Sequence, residues 1–466
     1  MRNGIKFLIT LLIFNTAGVT QAKSFSANVL APSLVGQTEN IEKNRDQWVK
    51  FENDLEKMKE LGIQSISTHI WWSQVEPQDN KFDWSYYKRL SQIITDKGMK
   101  WSPIISFNSC NDKDEESCNL ELPSWVWSKY KDNGSVESIE DLKFISSDGT
   151  SSEEFLSFWA TDLVVSEYKD FIQSFSDNFR NKSSQILEVV ISLGPSGELR
   201  YPIKNKEESN HQAYSSLAKQ SFKTFIKSKY KTIDNVNAAW NMQLESINDI
   251  HPPSSRKFYE IENVKRTYGK DFYEWYNTSL IEHGVIVLTT AIRVLNNEGS
   301  PFLNTPIGAI IPGSFWSPAP DAKRVSELNA GLIRSGDDIW GDEKQASGYE
   351  HIVSGLKEAA TLTKFEFLNI HLTSIEMTSA KTDKGEINSS NNLAFEISKL
   401  AKESNLGILG QNQSVNVLGS NQAWDNIWNA IQNANYTGLT IKTMNDISAN
   451  PLAYDFYKWI IENMHE

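Results

Sequence analysis

The stretch LEVVISLGPSGELRYP, residues 187–202, decides how we expect the chain to fold. It begins with an apolar run of branched residues, which predicts a buried strand. The run stops at Gly194, Pro195 and Gly197, and glycines let a backbone turn sharply or approach another group closely. A single carboxylate, Glu198, follows at once. A functional acid at the end of a buried strand is therefore the first hypothesis.

Seven other short apolar runs share this strand-like pattern, and amphipathic stretches separate them. In chain order the eight runs are ANVLAP, SISTHIWW, WSPIISF, LEVVISL, PIGAIIP, FEFLNIHL, LGILG and GLTIKT. Between the first two, DQWVKFENDLEKMKELG has the helical spacing of apolar residues and a glycine stop. Alternation of eight strands with helices predicts an α/β fold, a (β/α)₈ TIM barrel.

A doubly wound open sheet is the rival fold. It favours a glycine-rich phosphate turn after an early strand, and the sequence contains neither GxGxxG nor GxxxxGK[ST]. Three long connections, 109–160, 203–265 and 314–350, suit a barrel better. Long loops after barrel strands build the active-site face, so Glu198 is expected at that mouth.

The first 22 residues have the pattern of a secretory signal. Arg2 and Lys6 precede the short apolar core FLITLLIF, and small residues lead to a cut after Ala22. A retained membrane anchor is the alternative. No later run reaches 18 consecutive apolar residues. We expect residues 23–466 to form a single barrel domain that is soluble and exported, secreted or periplasmic.

The net charge of −13 at pH 7 bounds the partners. An acidic surface repels nucleic acid and anionic membranes and suits a neutral substrate. We expect a monomer without nucleic-acid or membrane partners. The two cysteines, Cys110 and Cys118, lie in one acidic loop. In an exported protein they predict a disulfide, and two free thiols are the alternative.

The motif LGPSGELRYP resembles the signature of the β-amylases, glycoside hydrolase family 14. Further matches keep the family order: WVKFENDLEKMKELG, IWWSQVEPQDNKFDWSYYKRL, KWSPIISF, CNLELPSWVW, YGKDFYEWY, SIEM and GLTIKTMND. The resemblance implies a (β/α)₈ barrel that removes maltose from the non-reducing ends of α-1,4-glucans with inversion. It is closest to the bacterial branch, without the starch-binding module of some members. It implies a polysaccharide or oligosaccharide substrate and no required cofactor.

An inverting glycosidase needs a general acid and a general base. The resemblance places the general acid at Glu198; a structural carboxylate paired with Arg200 is the alternative. The family base matches Gln411 in LGQNQS, and a neutral amide cannot take a proton from water. Glu376, in SIEM, is a possible substitute base; a structural role is the alternative, since the family has a glutamate there that is not its base.

The resemblance also assigns sugar-binding positions, and most carry other side chains here. Three hold departures from the family: His69 for an aspartate, Asn108 for a histidine and Glu116 for an aspartate. Thr373 and Asn412 are retained. The family's lysine, histidine and arginine near the fifth and eighth strands match Ile310, Phe315 and Thr443.

A structural calcium site is a further implication of the bacterial resemblance. The positions on or near it are Glu76, Asp79, Asn80, Glu167 and Asp170. Hard oxygen ligands suit Ca²⁺. A solvated acidic face is the alternative, because the loop around residues 76–80 is one residue shorter than in the family.

Three hypotheses about function remain open from the sequence. The first is an exported glycosidase of β-amylase type with weakened or redirected activity. The second is a carbohydrate-binding barrel without catalysis, which Gln411 favours. The third is a glycosidase of different specificity that uses Glu198 with a relocated partner such as Glu376. Fold similarity alone does not separate them.

Overall fold

Eight parallel strands pair edge to edge into a closed barrel. The computed structural model describes residues 25–37, 40–111, 118–203, 210–253, 266–314, 325–331, 347–381, 387–388, 390–412 and 418–464. The strands are β1 (Ser26–Leu30), β2 (Ser65–Trp71), β3 (Lys100–Ser106), β4 (Val189–Ile191), β5 (Ile307–Ile311), β6 (Leu368–Leu372), β7 (Gly407–Gln411) and β8 (Gly438–Lys442). All eight predicted runs supply one strand each, which confirms the barrel prediction.

Helices occupy the connections between the strands. They are α1 (Ile41–Leu61), α2 (Trp72–Val75), α3 (Ser85–Asp96), α4 (Ser124–Asp132), α5 (Thr161–Asn178), α6 (Ser216–Tyr230), α7 (Ile233–Trp240), α8 (Thr267–Leu295), α9 (Val325–Asn329), α10 (Ser347–Thr363), α11 (Ser390–Glu403), α12 (Asn421–Asn433), α13 (Met444–Ala449) and α14 (Pro451–Met464). Short antiparallel pairs join 110–111 to 119–120, 144–145 to 151–152 and 380–381 to 387–388.

Pairing of the first strand with the last closes the barrel. Ser26 lies opposite Gly438 and Leu30 opposite Lys442, in parallel register. The hydroxyl of Tyr457, from the final helix, donates to the carbonyl of Asn28 at 2.8 Å, beside this seam. Closure leaves no strand edge exposed and brings all eight carboxyl ends to one face.

Helix α1 shows how the outer layer packs. The predicted apolar face, Trp48, Phe51, Leu55 and Met58, is buried against the barrel. Gly62 ends the helix with a φ of 94°, a left-handed conformation that glycine adopts without a steric penalty. The helix is amphipathic because one side faces strands and the other faces solvent.

Helix α8 is long and apolar enough to cross a membrane by length and composition alone. In the fold, 61% of its most apolar window is buried, and the helix packs against α5 and α10. This segment has no unbroken run of 18 apolar residues, so the criterion applied to the sequence did not detect it. Its burial is that of a core helix in a large barrel.

The barrel interior contains a small apolar layer. Leu30, Ile104, Val190 and Ile310 form a hydrophobic cluster separate from the main core between strands and helices. Alternate residues of a strand face the same side, so residues two places away in these strands also face the interior. The apolar layer separates a polar layer at the amino ends of the strands from the polar groups at the mouth.

A buried ion pair spans the amino-end layer. His371 Nε2 of β6 lies 2.9 Å from Glu188 Oε2, and Asn369 Nδ2 donates to Glu188 Oε1 at 2.7 Å. The intervening strand β5 carries Gly308, where a Cβ would lie 2.7 Å from His371 Nε2. Burial alone would raise the pKa of Glu188, but the charge and hydrogen bond of His371 and the Asn369 amide hold it below its usual value.

This ion pair predicts a loss of stability in acid. Because the folded-state pKa of Glu188 is depressed, the pair stabilises the fold above about pH 4.3, and that stabilisation is lost as pH falls through the folded pKa. Glu188→Gln should lower the free energy of unfolding at neutral pH by about 1–3 kcal/mol and flatten its decline with acid. Urea unfolding at a series of pH values measures both effects, with the exposed Glu137→Gln as control. Parallel pH profiles in wild type and Glu188→Gln would contradict the account.

Candidate active site

The loop after β4 carries Glu198 at the carboxyl end of the barrel. Ser196 and Gly197 adopt positive φ values of 57° and 82°, so the chain reverses within two residues. At Gly194 a Cβ would lie 2.5 Å from the carbonyl oxygen of Glu198, which leaves no room for a side chain. The glycines are thus required by the turn itself, and the turn presents the acid, which is 5% exposed.

Helix α8 supports this loop from behind. His283 Nε2 lies 3.0 Å from the carbonyl oxygen of Leu193, and burial lowers the pKa of His283 to about 3, so the ring stays neutral. The hydroxyl of Tyr201 donates to the carbonyl of Tyr276 at 2.8 Å. The sequence analysis assigned no role to His283, which lies mid-helix without a nearby motif.

Among the described residues, the side chains of Thr373 and Arg200 contact the Glu198 carboxylate. Thr373, at the end of β6, donates from Oγ1 to Glu198 Oε1 at 2.7 Å, and the N–H of Gly313, after β5, donates to that hydroxyl oxygen at 3.0 Å. Arg200 Nε lies 3.2 Å from Glu198 Oε2 as an ion pair without an aligned hydrogen bond. The carboxylate is therefore positioned from β4, β5 and β6 together, and the pairing with Arg200 that the sequence left open is present.

Gln411 is the last residue of β7 and is half-buried. Its carbonyl accepts a hydrogen bond from the N–H of Ile375 at 3.4 Å, so the loop after β6 lies beside it. Asn412 uses its amide on the neighbouring strand: Nδ2 donates to the carbonyl of Lys442 at 3.3 Å, and Oδ1 accepts from the Lys442 N–H at 2.6 Å. The base position is at the mouth, and the retained asparagine connects β7 to β8.

Glu376 lies in the loop after β6 and is 1% exposed. The loop turns at Ser374, whose φ is 60°. The Glu376 carbonyl accepts from Asn426 Nδ2 of α12 at 2.9 Å, which holds the backbone toward the outer helices. A role as substitute base stays a prediction.

The other predicted sugar-binding positions lie on the second and third strands. His69 stacks on Trp71 at 4.6 Å between ring centroids, and its Nδ1 lies 2.8 Å from Ser106 Oγ. Asn108 Oδ1 accepts from Ser192 Oγ at 2.7 Å. The roles of His69 and Asn108 in sugar binding stay predictions. Ile310, on β5 where the family has a lysine, belongs to the apolar layer of the barrel interior.

Three other sequence predictions near the mouth have different outcomes. Glu116 and Phe315 lie outside the described residues. Thr443 directly precedes helix α13, and its backbone N–H donates to Asp446 Oδ2 at 3.0 Å, as in a capping box. It therefore acts as a helix cap where the family has an arginine.

A cavity of about 300 Å³ opens at this face between the loops after β3 and β4. Trp127, Glu154 and Pro202 are among its lining residues; Glu198 is not among the described residues that line it. Burial raises the pKa of Glu154, and the charge of Arg200 opposes that rise. The sequence analysis missed Glu154, because an acid in a polar loop gives no signal of its own.

The hairpin beside this cavity contains a disulfide. Cys110 and Cys118 are joined, with their Cα atoms 5.6 Å apart. Both cysteines are buried against Trp71, with Leu34 and Leu120 packed around them. The disulfide thus fixes the base of the loop whose residues 112–117 lie outside the described residues.

Two of the predicted calcium positions, Asp79 and Glu167, contact a lysine that nothing in the sequence singled out. Lys129 Nζ lies 3.1 Å from Asp79 Oδ2 and 2.8 Å from Glu167 Oε1. Burial raises the pKa of Glu76 to about 7, and Asp170 is exposed. No group of three or more His, Cys, Asp or Glu side chains within the described part of the chain is placed to hold a metal ion. This arrangement does not fit a divalent cation.

Comparison with known proteins agrees with the barrel fold and shows the family. The Glycosyl hydrolase family 14 model matches residues 33–465. A β-amylase of Niallia circulans is 34% identical over 67% of this chain and 53% of its own length. A thermophilic β-amylase of Thermoanaerobacterium thermosulfurigenes is 30% identical over 96% of this chain and 76% of its own. The chain spans 24% of a β/α-amylase of Paenibacillus polymyxa, to which it is 35% identical.

Solved structures place the fold in the same family. The crystal structure of the catalytic domain of a Paenibacillus polymyxa β-amylase has a TM-score of 0.79 and 27% identity, covering 95% of this chain and 99% of that one. A β-galactosidase of Marinomonas ef1, with a TM-score of 0.55 and 10% identity over 94% of this chain and 59% of its own, shares the fold alone. With the family motif intact around Glu198 and the match extending over most of its length, the chain belongs to glycosyl hydrolase family 14.

Proposed function

We propose that the chain hydrolyses α-1,4-glucans from their non-reducing ends and releases maltose, with a catalytic step weakened by the loss of the base. The observation that carries the proposal is Glu198, held by Thr373 and Arg200 at the end of β4 in the family's acid motif. The names of the relatives support the substrate class.

The acid half of the reaction falls to Glu198. In an inverting glycosidase this group protonates the leaving glycosidic oxygen as the bond to the anomeric carbon breaks. The Thr373 hydroxyl fixes the direction of one carboxylate oxygen, so the other, Oε2, faces Arg200. The Thr373 hydroxyl oxygen accepts a hydrogen bond from the Gly313 N–H. This contact leaves the hydroxyl proton to be donated to Glu198.

The base half of the reaction is incomplete at Gln411. A glutamine amide can hold a water by hydrogen bonds, but its oxygen is a far weaker base than a carboxylate. General base catalysis contributes about 10²- to 10⁴-fold, and the proposed rate is reduced by a factor in that range. Water then attacks the anomeric carbon from the face opposite Glu198 as the bond to the leaving oxygen breaks, and the proton that this water loses passes to bulk water.

We also propose that residues 1–22 direct export, so that the barrel acts on a neutral glycan either outside the cell or in the periplasm. The basic start and apolar core of this segment support export. A disulfide between Cys110 and Cys118 is consistent with an oxidising compartment.

A glycan-binding barrel without catalysis is the second candidate, and Gln411 is the observation that favours it. Incubation with soluble starch and a panel of other glycans separates the two. Maltose release supports hydrolysis, and binding without any turnover supports the second candidate. Turnover of a non-starch glycan alone would assign the site to a different glycosidase.

Glu198→Gln tests the acid. The variant keeps the shape and the Thr373 contact but cannot donate the proton, so maltose release from starch should fall by about 10²-fold or more. Thermal unfolding should be close to that of wild type, which excludes misfolding as the cause. Glu376→Gln is the comparison, and an equal loss of maltose release in that variant would support Glu376 as a substitute base. Unchanged activity in Glu198→Gln would end the proposal.

Gln411→Glu tests the missing base. Restoring a carboxylate at the end of β7 should raise kcat on starch by about 10²-fold, while KM stays close to wild type because the sugar-binding positions are unchanged. Gln411→Asn is the matched control and should show no gain. No rise in kcat with Gln411→Glu would mean that the missing base is not what limits the rate.

Thr373→Val tests positioning of the acid. The change removes the hydroxyl with little change in shape, so Glu198 loses the donor on Oε1 and kcat should fall by about tenfold, the effect of about 1.4 kcal/mol. Thr373→Ser keeps the hydroxyl and should retain most of the activity. If Thr373 had only a structural role, Thr373→Val would have a lower melting temperature. In that case the kcat of Thr373→Ser would not be higher than that of Thr373→Val.

A further inference from the structure

Helix α4 delivers a lysine into a cluster of carboxylates on the outside of the barrel. Lys129 Nζ is 3.1 Å from both Asp79 oxygens and 2.8 Å from Glu167 Oε1. Asp79 belongs to the loop after α2, and Glu167 lies in α5. One ammonium therefore connects three segments that are separate in sequence.

We propose that the Lys129 ammonium is a built-in cation that takes the place of a bound divalent ion, so that the junction of this loop with α4 and α5 is complete without metal. Its charge offsets the repulsion between Asp79 and Glu167, as a bound ion would.

The carboxylate oxygens of the cluster already have donors from the protein. Glu76 accepts from the indole Nε1 of Trp72 and from the N–H of Asn80, both at 2.8 Å. Glu167 Oε1 also accepts from the hydroxyl of Tyr130 at 2.7 Å. Ca²⁺ requires six to eight oxygens at about 2.3–2.6 Å, and the Lys129 ammonium occupies the position between Asp79 and Glu167 that such an ion would need. An ammonium, with three donors and no need for a full oxygen shell, fits this set.

The Lys129 ammonium also lies near an aromatic ring. Lys129 Nζ lies 5.3 Å from the centre of the Trp125 ring, and the Trp125 indole donates to the carbonyl of Glu76 at 2.9 Å. The side chain is 29% exposed and Glu167 is 7% exposed, so the pair is more protected than a surface ion pair. Trp125 thus ties the lysine to the same loop that its ammonium contacts.

Lys129→Met tests the proposal, because methionine keeps the length of the stem and removes the charge. The melting temperature of wild type should be the same in excess EDTA and in CaCl2. Lys129→Met should melt a few degrees lower in EDTA and recover with CaCl2, and with MgCl2 less, since Mg²⁺ demands stricter geometry. Isothermal titration with CaCl2 should give heat of binding for the variant and none for wild type.

Lys131→Met, which removes an exposed lysine from the same helix, is the matched control and should show neither effect. A loss of wild-type stability in EDTA, or heat of calcium binding to wild type, would overturn the proposal. The proposal would also be overturned if Lys129→Met were destabilised and calcium did not raise its melting temperature. That result would show that the carboxylates cannot bind a cation once the ammonium is removed. If the variant does not fold, the wild-type measurements decide.

Discussion

Closure of the barrel by β1 and β8 is the constraint on which the site depends. The pairing of Ser26 with Gly438 fixes the register of the last seam, and the other seven seams follow in order around the barrel. β4, β5 and β6 are adjacent strands, and the curvature of the closed sheet turns their carboxyl ends toward one mouth, where Thr373 contacts both Glu198 and Gly313. The hydrogen bonds that position the acid are thus a consequence of the fold.

Internal contacts recur at positions where the resemblance to the β-amylases predicts bound ligands. The amide of Asn412 bonds to the backbone of Lys442, and His69 pairs with Ser106. On the outside, the ammonium of Lys129 lies among carboxylates where a calcium ion was predicted. Each of these groups satisfies its hydrogen bonds or charge within the chain. At the retained Asn412, at His69 where the family has an aspartate, and at the predicted calcium positions, protein groups therefore contact one another.

The sequence was sufficient for the strands, because each is a short apolar run bounded by turn residues, and for the position of Glu198 just after β4, because it lies in a specific motif. It was insufficient where the partner is distant in the chain. Nothing in the segment around Lys129 indicates that its ammonium faces Asp79 and Glu167, and nothing around Glu188 indicates that His371 lies opposite across Gly308. Such pairs depend on which strands and loops become neighbours, and only the closed barrel determines that.

The account holds that one carboxyl group, at Glu198, carries the proton transfer and that no second carboxylate acts as base. The pH dependence of kcat/KM on a soluble glucan tests this most directly, because an acid and a base together give a bell-shaped profile. We predict a single limb, in which kcat/KM is level at low pH and falls as pH rises. A bell-shaped profile in the wild-type protein would contradict the account, since its acidic limb would report another carboxylate at work.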